Sequence, residues 1–143
     1  MAKSHIDKLF SSLAGEFGVA SELCLRQYVA SLTLKNYPGV DLFVLNPRND
    51  KQTTIQVKAS TDGWFNAPKV LPPKGCLVYV SIKEGQRMTY YVIPNKVVLR
   101  IREKNLRECL RKHPAVKKDQ PIWLGGEDHF ARYRGRWNLL GLG

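Results

Sequence analysis

Asp41, Gln56 and Lys58 are the side chains whose types and spacing point most directly to chemistry. Gln56 and Lys58 stand two apart in Thr54-Ile55-Gln56-Val57-Lys58-Ala59-Ser60, so on a strand both leave one face while Ile55 and Val57 leave the other. Upstream, Gly39-Val40-Asp41-Leu42-Phe43-Val44 reads as a partner strand, and Asn46-Pro47-Arg48-Asn49-Asp50-Lys51 between them is a cluster of turn formers and charges. A hairpin folded about Arg48 and Asn49 brings Asp41 opposite Gln56 to Lys58. A carboxylate, a carboxamide and an ammonium then share one patch. Oxygen donors of this kind suit a hard divalent cation. An ammonium beside such a cation orients an attacking water and offsets charge that builds on a phosphodiester.

A fourth group comes from the start of the chain. From Ser4 to about Val29, Leu9, Leu13, Phe17, Ala20, Cys24 and Tyr28 recur every three or four residues, which predicts a helix with one apolar face. Gly15 and Gly18 could break it in two. Glu22, set among Leu23, Cys24 and Leu25, is a carboxylate in apolar surroundings and needs a partner or a task. Glu16, beside Gly15, is its rival.

The elements that position these groups follow as strands at Ala30–Leu34, Val40–Leu45, Thr53–Ala59, Cys76–Ile82 and Met88–Ile93. Pro38-Gly39, Pro72-Pro73-Lys74-Gly75 and Glu84-Gly85-Gln86 are turns between them. Pro94-Asn95 opens a helix to about Lys112, stopped before Pro114, and a last helix is expected over Glu127 to Leu140. Gly125-Gly126-Glu127 reads as the turn before it.

Charge narrows the partners. Across 143 residues, 23 Lys and Arg face 12 Asp and Glu, a formal +11, which favours a polyanion. Seven of those net charges fall after residue 94. Within the second long helix Lys96, Arg100, Lys104, Arg107 and Arg111 fall in a sector of about 80° at roughly 100° per residue, a stripe able to follow a phosphate backbone or simply to face solvent. Trp64-Phe65, with Lys69 and Lys74 nearby, could grip nucleic acid or cap a small core. Cys24, Cys76 and Cys109 are odd in number and far apart, so a disulfide framework is not indicated and core thiols of a reducing, cytoplasmic compartment are expected. His5, His113 and His129 are too scattered for a zinc site. No apolar run is long enough to span a bilayer. At 43% hydrophobic the chain is read as a single domain over 1–143.

The order Gly15-x6-Glu22, Gly39-Val40-Asp41 and Ile55-Gln56-Val57-Lys58-Ala59-Ser60 resembles the PD-(D/E)XK nuclease superfamily, in its variants with Gln-x-Lys for Glu-x-Lys. The likeness covers roughly residues 12–93. It implies an α/β, restriction-endonuclease-like core of order αβββαβ, with a mixed central sheet flanked by helices, and Mg²⁺- or Mn²⁺-dependent endonuclease activity, on DNA ahead of RNA. In that scheme Asp41 is the central metal ligand and Gln56 takes the place of the second acid. Lys58 stands near the attacking water, and Glu22 is the helix acid. The chain lacks the Pro-Asp dipeptide, and Gln56 brings no charge to the metal. A catalytically silent nucleic-acid-binding protein on the same fold is the alternative. Cutting two strands needs two sites or two visits, so a homodimer or higher homo-oligomer is expected.

Overall fold

The computed structural model describes residues 5–34, 37–118 and 120–143. Helix α1 (His5–Leu25) is followed by β1 (Val29–Leu32), β2 (Leu42–Asn46), β3 (Lys51–Ser60), β4 (Trp64–Ala67), β5 (Cys76–Ser81), β6 (Thr89–Pro94), α2 (Asn95–Lys112) and β7 (Ile122–Gly126). Five strands form a mixed sheet in the order β1-β2-β3-β5-β6, and β4 pairs with β7 in a separate two-stranded ribbon. Only the β3–β5 pair is parallel. Between those two strands, where an αβββαβ order has a helix, the chain runs through β4. The second helix arrives only after β6.

Strand alternation divides the core in two. Leu42, Val44, Ile55, Val57, Val78 and Val92 point to one face and pack with Val19 and Leu23 of α1. Leu77, Tyr79, Tyr91 and Ile93 point to the other, under Val98 of α2 and Phe65, Leu124 and Phe130. β5 is buried at every position, as expected of a strand covered on both faces.

Gly15 and Gly18 do not break α1; they are where it touches the sheet. A Cβ on Gly15 would lie 2.7 Å from Ala59 Cβ, and one on Gly18 would lie 2.6 Å from both Met88 Cε and Tyr90 Oη. The expected apolar face packs only in part, through Ala20 and Tyr28. Gly15, Val19 and Leu23 face the sheet, whereas Leu9, Phe17 and Cys24 are exposed. Cys24 is therefore not a core thiol. Cys76 is buried, with its thiol pushed up to about 11 by that burial.

The helix expected over Glu127–Leu140 is two short 3₁₀ turns, Ala131–Tyr133 and Trp137–Leu140. Gly135, at φ +64°, interrupts it. The segment rounds the edge strand β6, where Gly135 N–H donates to Tyr90 O at 2.8 Å. Phe130 lands in one core and Trp137 in the other. The tail then crosses the α1 face to the β2–β3 turn, where Leu142 O accepts from Asn46 Nδ2 and, at 3.0 Å, from Asn49 Nδ2.

Candidate functional site

The β2–β3 hairpin folds about the predicted turn. Asn46 O accepts from Asp50 N–H at 2.9 Å, Asn46 Oδ1 accepts from Arg48 N–H at 3.0 Å, and Asp50 takes φ +59°. That register pairs Leu42 with Ile55. One residue outward, Asp41 N–H donates to Ile55 O at 2.8 Å, and the strands then part. Val57 has no β2 partner, and its N–H donates instead to Asp41 Oδ2 at 2.7 Å. A hydrogen bond to a charged acceptor is among the stronger ones a main chain makes.

This contact sets the carboxylate on the main chain of the residue between Gln56 and Lys58. Both flanking side chains leave β3 opposite to Val57, and all three polar residues are partly buried. Gln56 Nε2 donates to Val57 O at 3.4 Å. Past Lys58 the strand borders a cavity of about 460 Å³, lined by Lys8, Ser11 and Ser12 of α1 and by Ser60, Thr61 and Asp62.

Glu22 is not brought to this group. Its Oε2 pairs with Arg26 NH1 at 2.7 Å, and the Arg26 guanidinium lies 4.7 Å from the centre of the Trp137 ring. Burial, and then the charge of Glu22, raise the Tyr90 phenol. Tyr90 belongs to β6, two strands from β3. The Arg26 ion pair is the partner that the apolar sequence around Glu22 demanded. Glu16 is the more enclosed carboxylate of α1, at 8% exposure. At about 100° per residue it flanks Gly15 on the side away from Gly18. Gly15 sits on β3 and Gly18 on β6. Seven residues on from Gly15, Glu22 returns to within about 20° of the same phase, so its Arg26 pair and its effect on Tyr90, rather than helix phase, place it by β6.

The basic stripe is solvent-facing: Lys96, Arg100, Lys104, Arg107 and Arg111 are all exposed. Like charges four apart oppose helix formation by about 0.2–0.5 kcal/mol per pair, so the row is maintained at some cost. Arg111 and Lys112 recover part of it at the carboxyl end of the helix dipole. The amino end of α2 is tied to the loop before β5, Asn95 Nδ2 donating to Lys74 O at 2.9 Å. α2 lies on the sheet face that Gln56 and Lys58 share. Lys69 and Lys74 are exposed as well. Trp64 and Phe65 divide their roles. Phe65 is core, stacked on Tyr79 with centroids 4.5 Å apart, and Trp64 stays 44% exposed.

A second polar cluster had no signal in the sequence, since its members come from separate segments. Ser60 Oγ and Tyr79 Oη are 2.7 Å apart, and Lys83 Nζ lies 3.0 Å from Glu127 Oε2. The hydroxyl of Ser81, and then Lys83, hold the Glu127 carboxyl below its usual range against the opposing pull of burial. Gly126, expected in a loop, ends β7, and its N–H donates to His129 Nδ1 at 3.2 Å.

Among the described residues no three His, Cys, Asp or Glu side chains are grouped to hold a metal ion, and no helix is long and apolar enough to cross a membrane. No protein-family model, curated protein or solved structure matches the chain.

Proposed function

We propose that the chain is a restriction-endonuclease-like domain that hydrolyses phosphodiester bonds with a divalent cation, DNA being the substrate ahead of RNA. The observation that carries this reading is the 2.7 Å hydrogen bond from Val57 N–H to Asp41. It sets the acid on the main chain of the residue between the amide and the amine. The αβββ start, with β5 added parallel to β3, supports the fold assignment.

The donors suit Mg²⁺ or Mn²⁺ in kind, being oxygens of a carboxylate and a carboxamide. Asp41 and Gln56 would hold the ion. Bound there, the cation would polarise a phosphoryl oxygen and lower the pKa of a coordinated water. Lys58 orients the attacking water and offsets the charge that grows on the phosphorus oxygens. Exposed cations on α2 hold the backbone of the substrate on the same side of the sheet.

The neutral Gln56 and the diversion of Glu22 to Arg26 favour a second reading, a silent nucleic-acid-binding protein on this fold. Incubation of plasmid or branched DNA with Mn²⁺, with chelator, and with Asp41→Ala or Lys58→Ala separates the two. The nuclease reading expects chelator-sensitive cleavage lost in both variants. Cleavage by Asp41→Ala at the wild-type rate overturns it, and metal-independent binding without cleavage establishes the second reading.

A further inference from the structure

α1 is apolar on two opposite sides. Its inner side, Gly15, Val19 and Leu23, is spent on the sheet. Half a turn away at roughly 100° per residue, Phe10, Leu13, Phe17, Ala20 and Cys24 repeat at alternating spacings of three and four. That spacing is the seam by which one helix packs along another. Ala20 lies against the core, but the large side chains are uncovered among the described residues: Phe10 and Phe17 are 60% and 59% exposed, and Leu9 is 52% exposed. Taking about 200 Å² for a large side chain, these three alone present roughly 350 Å², close to half of what each partner contributes to a standard interface.

Two features of the stripe name its occupant. From Leu9 to Leu25 the chain contains no Lys or Arg, the longest such stretch in a molecule that has 23 of them. Copies carrying +11 repel, and this is the surface on which they meet without opposing cations. The stripe also grades from large to small: Leu9, Phe10 and Leu13 fill the amino half, Ala20 and Cys24 the carboxyl half. Antiparallel packing sets large residues against small ones, which fills space evenly, with Phe17 midway between Phe10 and Cys24.

We propose that a second copy of this chain covers the stripe, the two α1 helices packing antiparallel about a two-fold axis at Phe17. The arrangement stands on the exposed stripe and not on the nuclease reading, so it is tested without metal or nucleic acid. Sedimentation equilibrium at micromolar concentration is expected to find a dimer, and Phe17→Glu, a change at an exposed position, a folded monomer with an unchanged circular dichroism spectrum. A wild-type monomer, or a dimer that persists in Phe17→Glu, overturns the proposal. Mild oxidation of Phe10→Cys is expected to link it to Cys24 of the other copy. The two positions are too far apart along one helix to join within a chain, at about 1.5 Å of rise per residue. Loss of the link on adding Cys24→Ser supports the antiparallel pairing. A link that survives Cys24→Ser does not run through the proposed partner residue and overturns that pairing.

Discussion

The carboxylate of Asp41 accepts the main-chain N–H of Val57 at 2.7 Å, at the point where β2 and β3 part. The acid therefore has a structural duty beside any catalytic one, and substitutions can separate them. Asp41→Asn keeps an acceptor for Val57 and removes the charge; Asp41→Ala removes both. Urea unfolding is expected to show Asp41→Ala destabilised by about 1–3 kcal/mol, the usual cost of stranding a partly buried donor, and Asp41→Asn by much less. Both are expected to lose Mn²⁺ binding in calorimetric titration. Equal stability of the two variants would show that the hydrogen bond contributes nothing to folding.

α1, which carries Glu16 and Glu22, lies on the sheet face away from Gln56 and Lys58. Glu16→Gln and Glu22→Gln are each expected to leave Mn²⁺ binding and cleavage near wild type, and Glu22→Gln to lower the Tyr90 phenol pKa by removing a neighbouring negative charge. Spectrophotometric titration of tyrosine ionisation reads the second effect. Loss of Mn²⁺ binding in either variant would bring that carboxylate to the metal.

Gln56→Glu replaces a neutral donor with a charged one of the same shape. Hard divalent ions favour anionic oxygen, so Mn²⁺ affinity is expected to rise, measured by calorimetry. Equal affinities would mean that the side chain at 56 does not face the ion.

The stripe on α2 is tested by salt. The slope of log affinity against log salt on duplex DNA is about −0.9 for each phosphate neutralised. Removing Arg100, Lys104 and Arg107 together is expected to flatten it by roughly two to three units. An unchanged slope would leave the row as an ordinary solvated face.

Glu127 makes stability depend on pH on the acid side. Its carboxyl sits below the ordinary 4.5 in the folded protein, so its contribution is fully present above that value and is lost as pH falls through the lower folded value. Thermal melts are expected to show wild type losing stability over that window and Glu127→Gln losing less. Parallel curves would remove Glu127 as a source of acid sensitivity.

The hairpin that carries Asp41, Gln56 and Lys58 was legible in the sequence because two alternating runs flank a strong turn, and turn and period agree on one register. α2 was legible for a similar reason: its basic residues repeat at helical spacing and Pro94 marks its start. α1 was legible in extent but not in orientation. Its stronger apolar stripe is the exposed one, while the face on the sheet is built partly from Gly15, whose lack of a side chain is the contact. Which of Glu16 and Glu22 is enclosed depends on that packing. β4 and β7, of four and five residues, show their alternation only when paired. The path of Phe130 to one core and Trp137 to the other depends on long-range packing that no local period records.

Residues 137–142 also bear on how the protein is made. Trp137, Leu140 and Leu142 complete the core shared by α1 and four strands, and Leu142 O is held by the turn at Asn46 and Asn49. During synthesis the ribosome delivers the hairpin and the helix well before these side chains emerge. Until they do, the hydrophobic layer under α1 stays open, and chains in that state are the ones most prone to associate wrongly. Stalled or shortened products ending before Trp137 should depend on chaperones to a degree that the finished protein does not.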